Sequence, residues 1–247
     1  MTTASLSMLF DHWPIGPGAA HGRLTALLRA LGAGDAALAA DTLGARNRRL
    51  IALHDDWVGG AIEAQVACTA CATMNSFAVP KDAMRALLPA QDALVTVAYG
   101  RRELAYCVPT MADIEAVGDA ADVRLAMLDR CAAGPVRVAA ADLDAAALDA
   151  IEVAFDRADP LASIVVESAC SECGVALAAS VDLAAFVATD LDRLHAALLR
   201  DVDMIASAYG WGESAILALP ADRRGRYIAM IADRRAAPAA RQRVRPL

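Results

Sequence analysis

Residues 163–182 read SIVVESACSECGVALAASVD, and the reading of the fold starts from them. Ser163 to Ser168 is a short run rich in β-branched residues and predicts a strand; Val175 to Val181 predicts a second. Between them stands Cys170-Ser-Glu-Cys173. Asp182 follows, an N-cap residue type placed just before a long helical pattern from Leu183 to Tyr209. Its apolar stripe is Leu183, Phe186, Val187, Leu191, Leu194, Leu198, Val202, Ile205 and Tyr209, spaced mostly by threes and fours. At 1.5 Å per residue such a helix is about 40 Å long. Gly210 sits where a left-handed C-terminal cap is needed.

Working outward, the same order occurs once earlier. Ile62 to Ala67 predicts a strand, Cys68-Thr-Ala-Cys71 follows, Phe77 to Val79 resumes a strand, and Asp82 opens a short helix to Leu88. Strand, CxxC, strand, Asp, helix is therefore repeated, with a mostly helical insertion between the copies. Ahead of it, Ala93 to Tyr99 and Glu103 to Val108 predict two strands turning at Gly100-Arg101. Within it, Thr110 and Asp113 resemble a capping box, and helices are expected over 111–117, 121–132 and 143–157, the last stopped by Asp159-Pro160. At the other end, Pro14, Gly16, Pro17 and Gly18 predict that the first eighteen residues are loop, followed by helices over His21–Leu31 and Asp41–Trp57. After the long helix, Glu213–Leu219 and Asp222–Asp233 predict two more helices.

The expected segments are an N-terminal helical region (1–58), a first CxxC turn with β hairpins (59–109), a helical insertion (110–160), a second CxxC turn with C-terminal helices (161–235) and a basic tail (236–247). The fold class is α+β: a zinc-ribbon-like β core from two CxxC knuckles, with a helical insertion and a helical C-terminal region.

Two CxxC pairs carry the clearest chemistry. A CxxC turn between strands points both sulfurs to one side, at a separation that suits a tetrahedral ion. A structural zinc site takes four such ligands and leaves no open position. Cys68, Cys71, Cys170 and Cys173 supply all four, which predicts one structural Zn2+ per chain. The long gap from Cys71 to Cys170 is unusual for a ribbon, and the repeat explains it as an insertion. A redox CxxC normally sits at a helix start, and neither pair directly precedes an obvious one. Cys107 and Cys131 have no CxxC partner and are expected in or beside the core.

The 247 residues carry a formal net charge of -7, with 57% hydrophobic and 4% aromatic residues. Alanine dominates the apolar share and favours helices. The acidic balance weighs against nucleic acid and against anionic membranes as partners. Arg234, Arg235, Arg241, Arg243 and Arg245 gather at the end, where a solvated tail is expected. No run of about 18 uncharged apolar residues offers a membrane span, and the first residues lack a positive secretory n-region. The expectation is a cytoplasmic protein. The sequence holds no HExxH, GxSxG or Walker pattern. His195, beside Leu194, is expected on or near the wet face of the long helix. No catalytic residue, enzyme activity or small-molecule substrate is expected.

The C-terminal segment concentrates the scarce aromatics. Tyr209 and Trp211 lie at a helix end with Glu213, and Arg223, Arg224 and Tyr227 follow on the next helix. Trp, Tyr and Arg are favoured at interface hot spots, so these six residues form a candidate partner-binding surface as well as a helical corner.

Residues 208–231, AYGWGESAILALPADRRGRYIAMI, resemble the signature of a family related to T-even phage baseplate proteins, as found in loci for phage-tail-like contractile injection systems. The likeness extends to LIALHDDWVGGAIEAQVACTAC (50–71), YCVPTMADIEAV (106–117), LDRC (128–131) and ADPLASIVVESACSECGVALAASVDLAAF (158–186), and so covers about Arg46 to Ile231. The family knuckle is similar to C-P-x-C-G. Here Thr69 and Ser171 replace the proline, Ala72 replaces the first glycine, and Asp203 stands where a histidine often occurs. The resemblance implies a structural or assembly role in a baseplate, with other baseplate or tail proteins as partners and incorporation into a tail-like particle. The alternative reading is a zinc-ribbon nucleic-acid-binding or regulatory module, supported by the paired cysteines and the basic tail. A thiol oxidoreductase is the third.

Overall fold

The computed structural model describes residues 3–14, 18–87 and 94–236. The described residues form two compact units, one within residues 18–188 and the other from residues 3–14 with 189–236. The chain opens with a helix, α1 (Thr3–His12), where loop is expected. Pro14 does mark a boundary, but the apolar residues before it, Leu6 and Leu9, are buried and give the segment a helical face. Gly16 and Pro17, and the tail beyond Ala236 with Arg241, Arg243 and Arg245, lie outside the described residues.

The larger unit begins with α2 (Ala20–Ala30), α3 (Asp35–Ala40) and α4 (Leu43–Trp57). The helix expected over Asp41–Trp57 forms as α4 but starts at Leu43, because Asp41 and Thr42 are extended, and α3 ahead of it is a helix that the sequence does not predict. Thr42 caps α4, its hydroxyl accepting from the Ala45 amide at 3.1 Å. α3 has a single buried residue, Leu38, too little to leave a periodic signal.

Then come β1 (Ile62–Ala67) and β2 (Met74–Val79), an antiparallel pair in which Ala67 faces Met74 across the first CxxC turn. Ile62 and Ala64 on β1 and Asn75 and Val79 on β2 are buried, an alternation of period two. α5 (Lys81–Ala86) follows. Its N-cap is Pro80 with no side-chain hydrogen bond, so Asp82 lies inside the first turn and the first copy of the repeat departs from the second.

β3 (Leu94–Tyr99) and β4 (Arg102–Cys107) form the expected hairpin, and β5 (Ala132–Ala133) adds to β4. α6 (Met111–Val117) opens with a complete capping box: Thr110 accepts from the Asp113 amide, and the Asp113 carboxylate accepts from the Thr110 amide at 3.0 Å. α7 (Val123–Cys131), a short 3-10 turn over 140–142 and α8 (Ala145–Ala158) complete the insertion. Val97, Leu104 and Tyr106 pack with Leu128, Leu143 and Ile151 as one core.

β6 (Val165–Ala169) and β7 (Ala176–Ser180) are antiparallel, with Ala169 facing Ala176 across the second CxxC turn. Asp182 then caps α9 (Leu183–Tyr209), its carboxylate accepting from the Ala185 amide at 3.1 Å. The architecture of the described residues is thus mixed: helices with three small antiparallel sheets.

The smaller unit contains α1, α9 from Thr189 onward, α10 (Glu213–Leu217) and α11 (Ala221–Ala236). Gly210 ends α9 in the left-handed region at φ 69°, its amide bonding the Ala206 carbonyl at 2.7 Å. Ile205, Ile216 and Ile231 form a buried cluster. The Trp13 indole donates to the Asp192 carboxylate at 2.8 Å. No helix of the described residues is long and apolar enough to cross a membrane.

Candidate metal centre

The two hairpins end in turns of the same construction. In the first, the Cys68 amide bonds the Thr73 carbonyl at 2.9 Å and the Ala72 amide bonds the Cys68 carbonyl at 2.9 Å. In the second, the Cys170 amide bonds the Val175 carbonyl at 2.8 Å and the Gly174 amide bonds the Cys170 carbonyl at 3.0 Å. The residue after the second cysteine is left-handed in both, Ala72 at φ 60° and Gly174 at φ 73°. The departure from glycine at Ala72 therefore leaves the turn geometry in place.

The turns bring their sulfurs together. All four Sγ atoms of Cys68, Cys71, Cys170 and Cys173 lie within 4.8 Å of one another, and they are the one such metal-capable group among the described residues. Across the turns, Cys68 Sγ stands 3.6 Å from Cys173 Sγ, and Cys71 Sγ stands 3.6 Å from Cys170 Sγ. A disulfide needs about 2.0 Å, so these are free thiols. A tetrahedral ion with sulfurs at about 2.3 Å sets its ligands about 3.8 Å apart, a spacing that the cluster fits. The first cysteine of each pair is buried, and the second is exposed. Val66 and Leu177 pack against Cys68 and Cys170 on the inner side.

Donors converge on the sulfurs. The Ala70 amide points at Cys68 Sγ at 3.4 Å. Hydrogen bonds from the Cys173 and Glu172 amides pull the Cys170 thiol down to about 6. Hydrogen bonds at Thr73 lower Cys71. At Cys170 and Cys71 such donors stabilise thiolate, the form that a metal takes; at Cys173 a hydrogen bond at Val175 acts in the same sense, but the neighbouring Cys68 and Cys71 sulfurs and burial outweigh it and push the thiol up to about 12.

Asn75 is a member of the site that the sequence reading does not name. Its Oδ1 accepts from the Ser171 amide at 2.8 Å and from the Ser171 hydroxyl at 3.0 Å. Its Nδ2 donates to the Thr73 carbonyl at 2.9 Å and points at Cys170 Sγ at 3.6 Å. One buried amide thus joins the two turns and orients a sulfur. The available signal is its place on the inward face of β2, where a polar residue needs a partner.

The other sequence candidates fall elsewhere. Tyr209, Trp211 and Tyr227 meet as three rings: Tyr209 stacks on Trp211 at 5.2 Å, and Tyr227 meets both edgewise at 5.6 and 5.0 Å. They are half-buried against the Ile205, Ile216 and Ile231 cluster. Glu213 and Arg223 are exposed. Arg224 is buried and donates to Asp201 at 2.9 Å. Arg234 covers the Tyr209 ring at 4.9 Å and donates to its hydroxyl at 2.6 Å.

Cys131 is buried, and burial and then Asp113 push its thiol up to about 11. Cys107 is exposed, contrary to the expectation, because it ends β4 with its side chain outward. His195 is likewise not on a wet face. It is buried, with its ring centroid 4.9 Å from that of Phe10 on α1. No family model, curated protein or solved structure matches the chain.

Proposed function

We propose that Cys68, Cys71, Cys170 and Cys173 hold one Zn2+ as a closed structural site, a zinc-ribbon-like knuckle pair, in a non-enzymatic assembly protein of a phage-tail-like baseplate. The observation that carries the metal is the convergence of four sulfurs within 4.8 Å from two separate hairpins. Four thiolates fill a tetrahedral ion, leaving no position for substrate, which suits a structural role. Sulfur-only ligation also favours zinc over magnesium or calcium.

The baseplate reading rests on the likeness carried by residues 208–231 and by the segments around both cysteine pairs. The half-buried rings of Tyr209, Trp211 and Tyr227, with exposed Glu213 and Arg223 nearby, offer the aromatic and charged chemistry of a docking surface. Other baseplate or tail proteins are its proposed partners, met in the cytoplasm or in the particle.

Native mass spectrometry of the purified protein is expected to give one zinc per chain, and EDTA is expected to lower its melting temperature. Protein without stoichiometric zinc and indifferent to EDTA removes the structural pin. Coexpression with the tube, sheath and spike proteins of a tail-like locus, followed by purification, tests the partner. Salt-sensitive binding of nucleic acid instead, with no tail protein retained, favours the regulatory alternative.

A further inference from the structure

Away from the cysteines, α2, α3, α4 and α6 line a half-open cavity of about 600 Å³, a size at which small-molecule sites occur. Its wall is largely aliphatic, from Leu38, Ala39, Leu43, Met111 and Ile114. Arg46 on α4 is part of that wall and is 3% exposed. Its Nη1 donates to the Thr25 hydroxyl at 3.0 Å and its Nη2 to the His21 carbonyl at 2.7 Å, while its Nε has no partner. Both acceptors are neutral. Asp41, the acid whose charge reaches Arg46, is taken by Arg49 through two hydrogen bonds at 2.6 and 3.1 Å. No carboxylate pairs with Arg46 among the described residues.

A buried cation without a counter-ion is costly, and proteins keep one where something neutralises it. Of the other charged groups on the wall, Arg29 and Asp35 pair with each other, and Glu115 is exposed to water. One guanidinium without a paired carboxylate, beside the aliphatic stretch of this wall, suits a singly charged anion with an apolar body. A phosphate dianion would call for more donors than this wall supplies.

We propose that this cavity binds an organic carboxylate with a short aliphatic body, its charge set against Arg46 and its chain against Leu38, Met111 and Ile114. The site is independent of the zinc and baseplate readings. The chemistry is shared by a free aliphatic acid and by a chain terminus ending in an aliphatic residue.

The test is titration of the full-length protein with hexanoate and, as its neutral counterpart, hexanamide, read by calorimetry and by the methyl signals of Met111 and Ile114. Hexanoate is expected to saturate and shift those signals, with hexanamide at least tenfold weaker. Arg46→Met is expected to erase that preference. Because Arg46 is buried, Ala39→Trp serves as a second variant: Ala39 is exposed, and the indole is expected to block hexanoate with the melting temperature unchanged. N-acetyl-leucine binding more tightly than hexanoate assigns the carboxylate to a chain terminus; the reverse order assigns it to a free acid. Equal binding of hexanoate and hexanamide, no saturable binding of hexanoate, or full binding by Ala39→Trp overturns the proposal.

Discussion

Ala72 and Gly174 hold equivalent places in the two CxxC turns, and both backbones are left-handed. For glycine this is ordinary; for an L-residue it costs about 1–2 kcal/mol. Ala72→Gly is therefore expected to stabilise the protein by about 1 kcal/mol, allowing for the entropy that glycine loses on folding, and to raise the melting temperature by about 2–4 °C. Gly174→Ala is expected to do the reverse, since a Cβ there meets nothing within 4 Å and only the backbone strain acts. Thermal melts of both variants decide it; a destabilised Ala72→Gly contradicts the strain. At this scale the cysteines were legible because CxxC spacing is chemically specific. Asn75 was not, because its partners Ser171 and Cys170 come from the other hairpin. Arg46 is not legible for a similar reason: its isolation depends on Arg49 having claimed Asp41.

Elements with long apolar stripes or clear caps were readable. α9 runs from Leu183 to Tyr209 as its stripe predicts, and the strands at Ile62–Ala67 and the Thr110 capping box form where expected. α1 and α3 are not legible in the sequence, the first because Pro and Gly signals follow it closely, the second because six Ala-rich residues carry no period. The misplacement of His195 follows from the same omission. Without α1 there is no Phe10 to cover it, and the ring then looks wet. Burial lowers the pKa of His195 from 6.5, and burial followed by the Arg46 charge lowers that of His21. Below about 6.5 the unfolded chain then binds more protons than the folded one, so stability falls as pH falls through this window. Asp55 and Asp113, both lowered by hydrogen bonds and ion pairs that outweigh their burial, add a loss of the same sense at lower pH, below their ordinary 3.8. Melting temperature is expected to drop between pH 7.5 and pH 5.5, and to drop less in His195→Gln. An unchanged slope in that variant removes His195 from the account.

Over the whole molecule, the mixed α+β class was legible from periodicity, and the assembly of the site from its repeat. Two-stranded hairpins are marginal on their own, and β1–β2 and β6–β7 are both two-stranded. With metal bound, each holds the other. Cys170→Ser is expected to raise amide hydrogen exchange in β1–β2 as well as in β6–β7, and to leave β3–β4 protected; exchange confined to β6–β7 would show that the hairpins are not coupled. Cys71 and Cys170 are 99 positions apart. Ribosomes add about 5–20 residues per second, so the first thiol pair is made about 5–20 s before the second. On the proposed zinc reading, during that interval two sulfurs sit on a nascent chain with half a coordination shell, open to oxidants, to stray copper and to the cysteines of neighbouring polysomes. On that reading, the yield of correctly metallated protein is expected to depend on how fast residues 72–169 are translated, and synonymous codons that slow this stretch become a hazard in their own right.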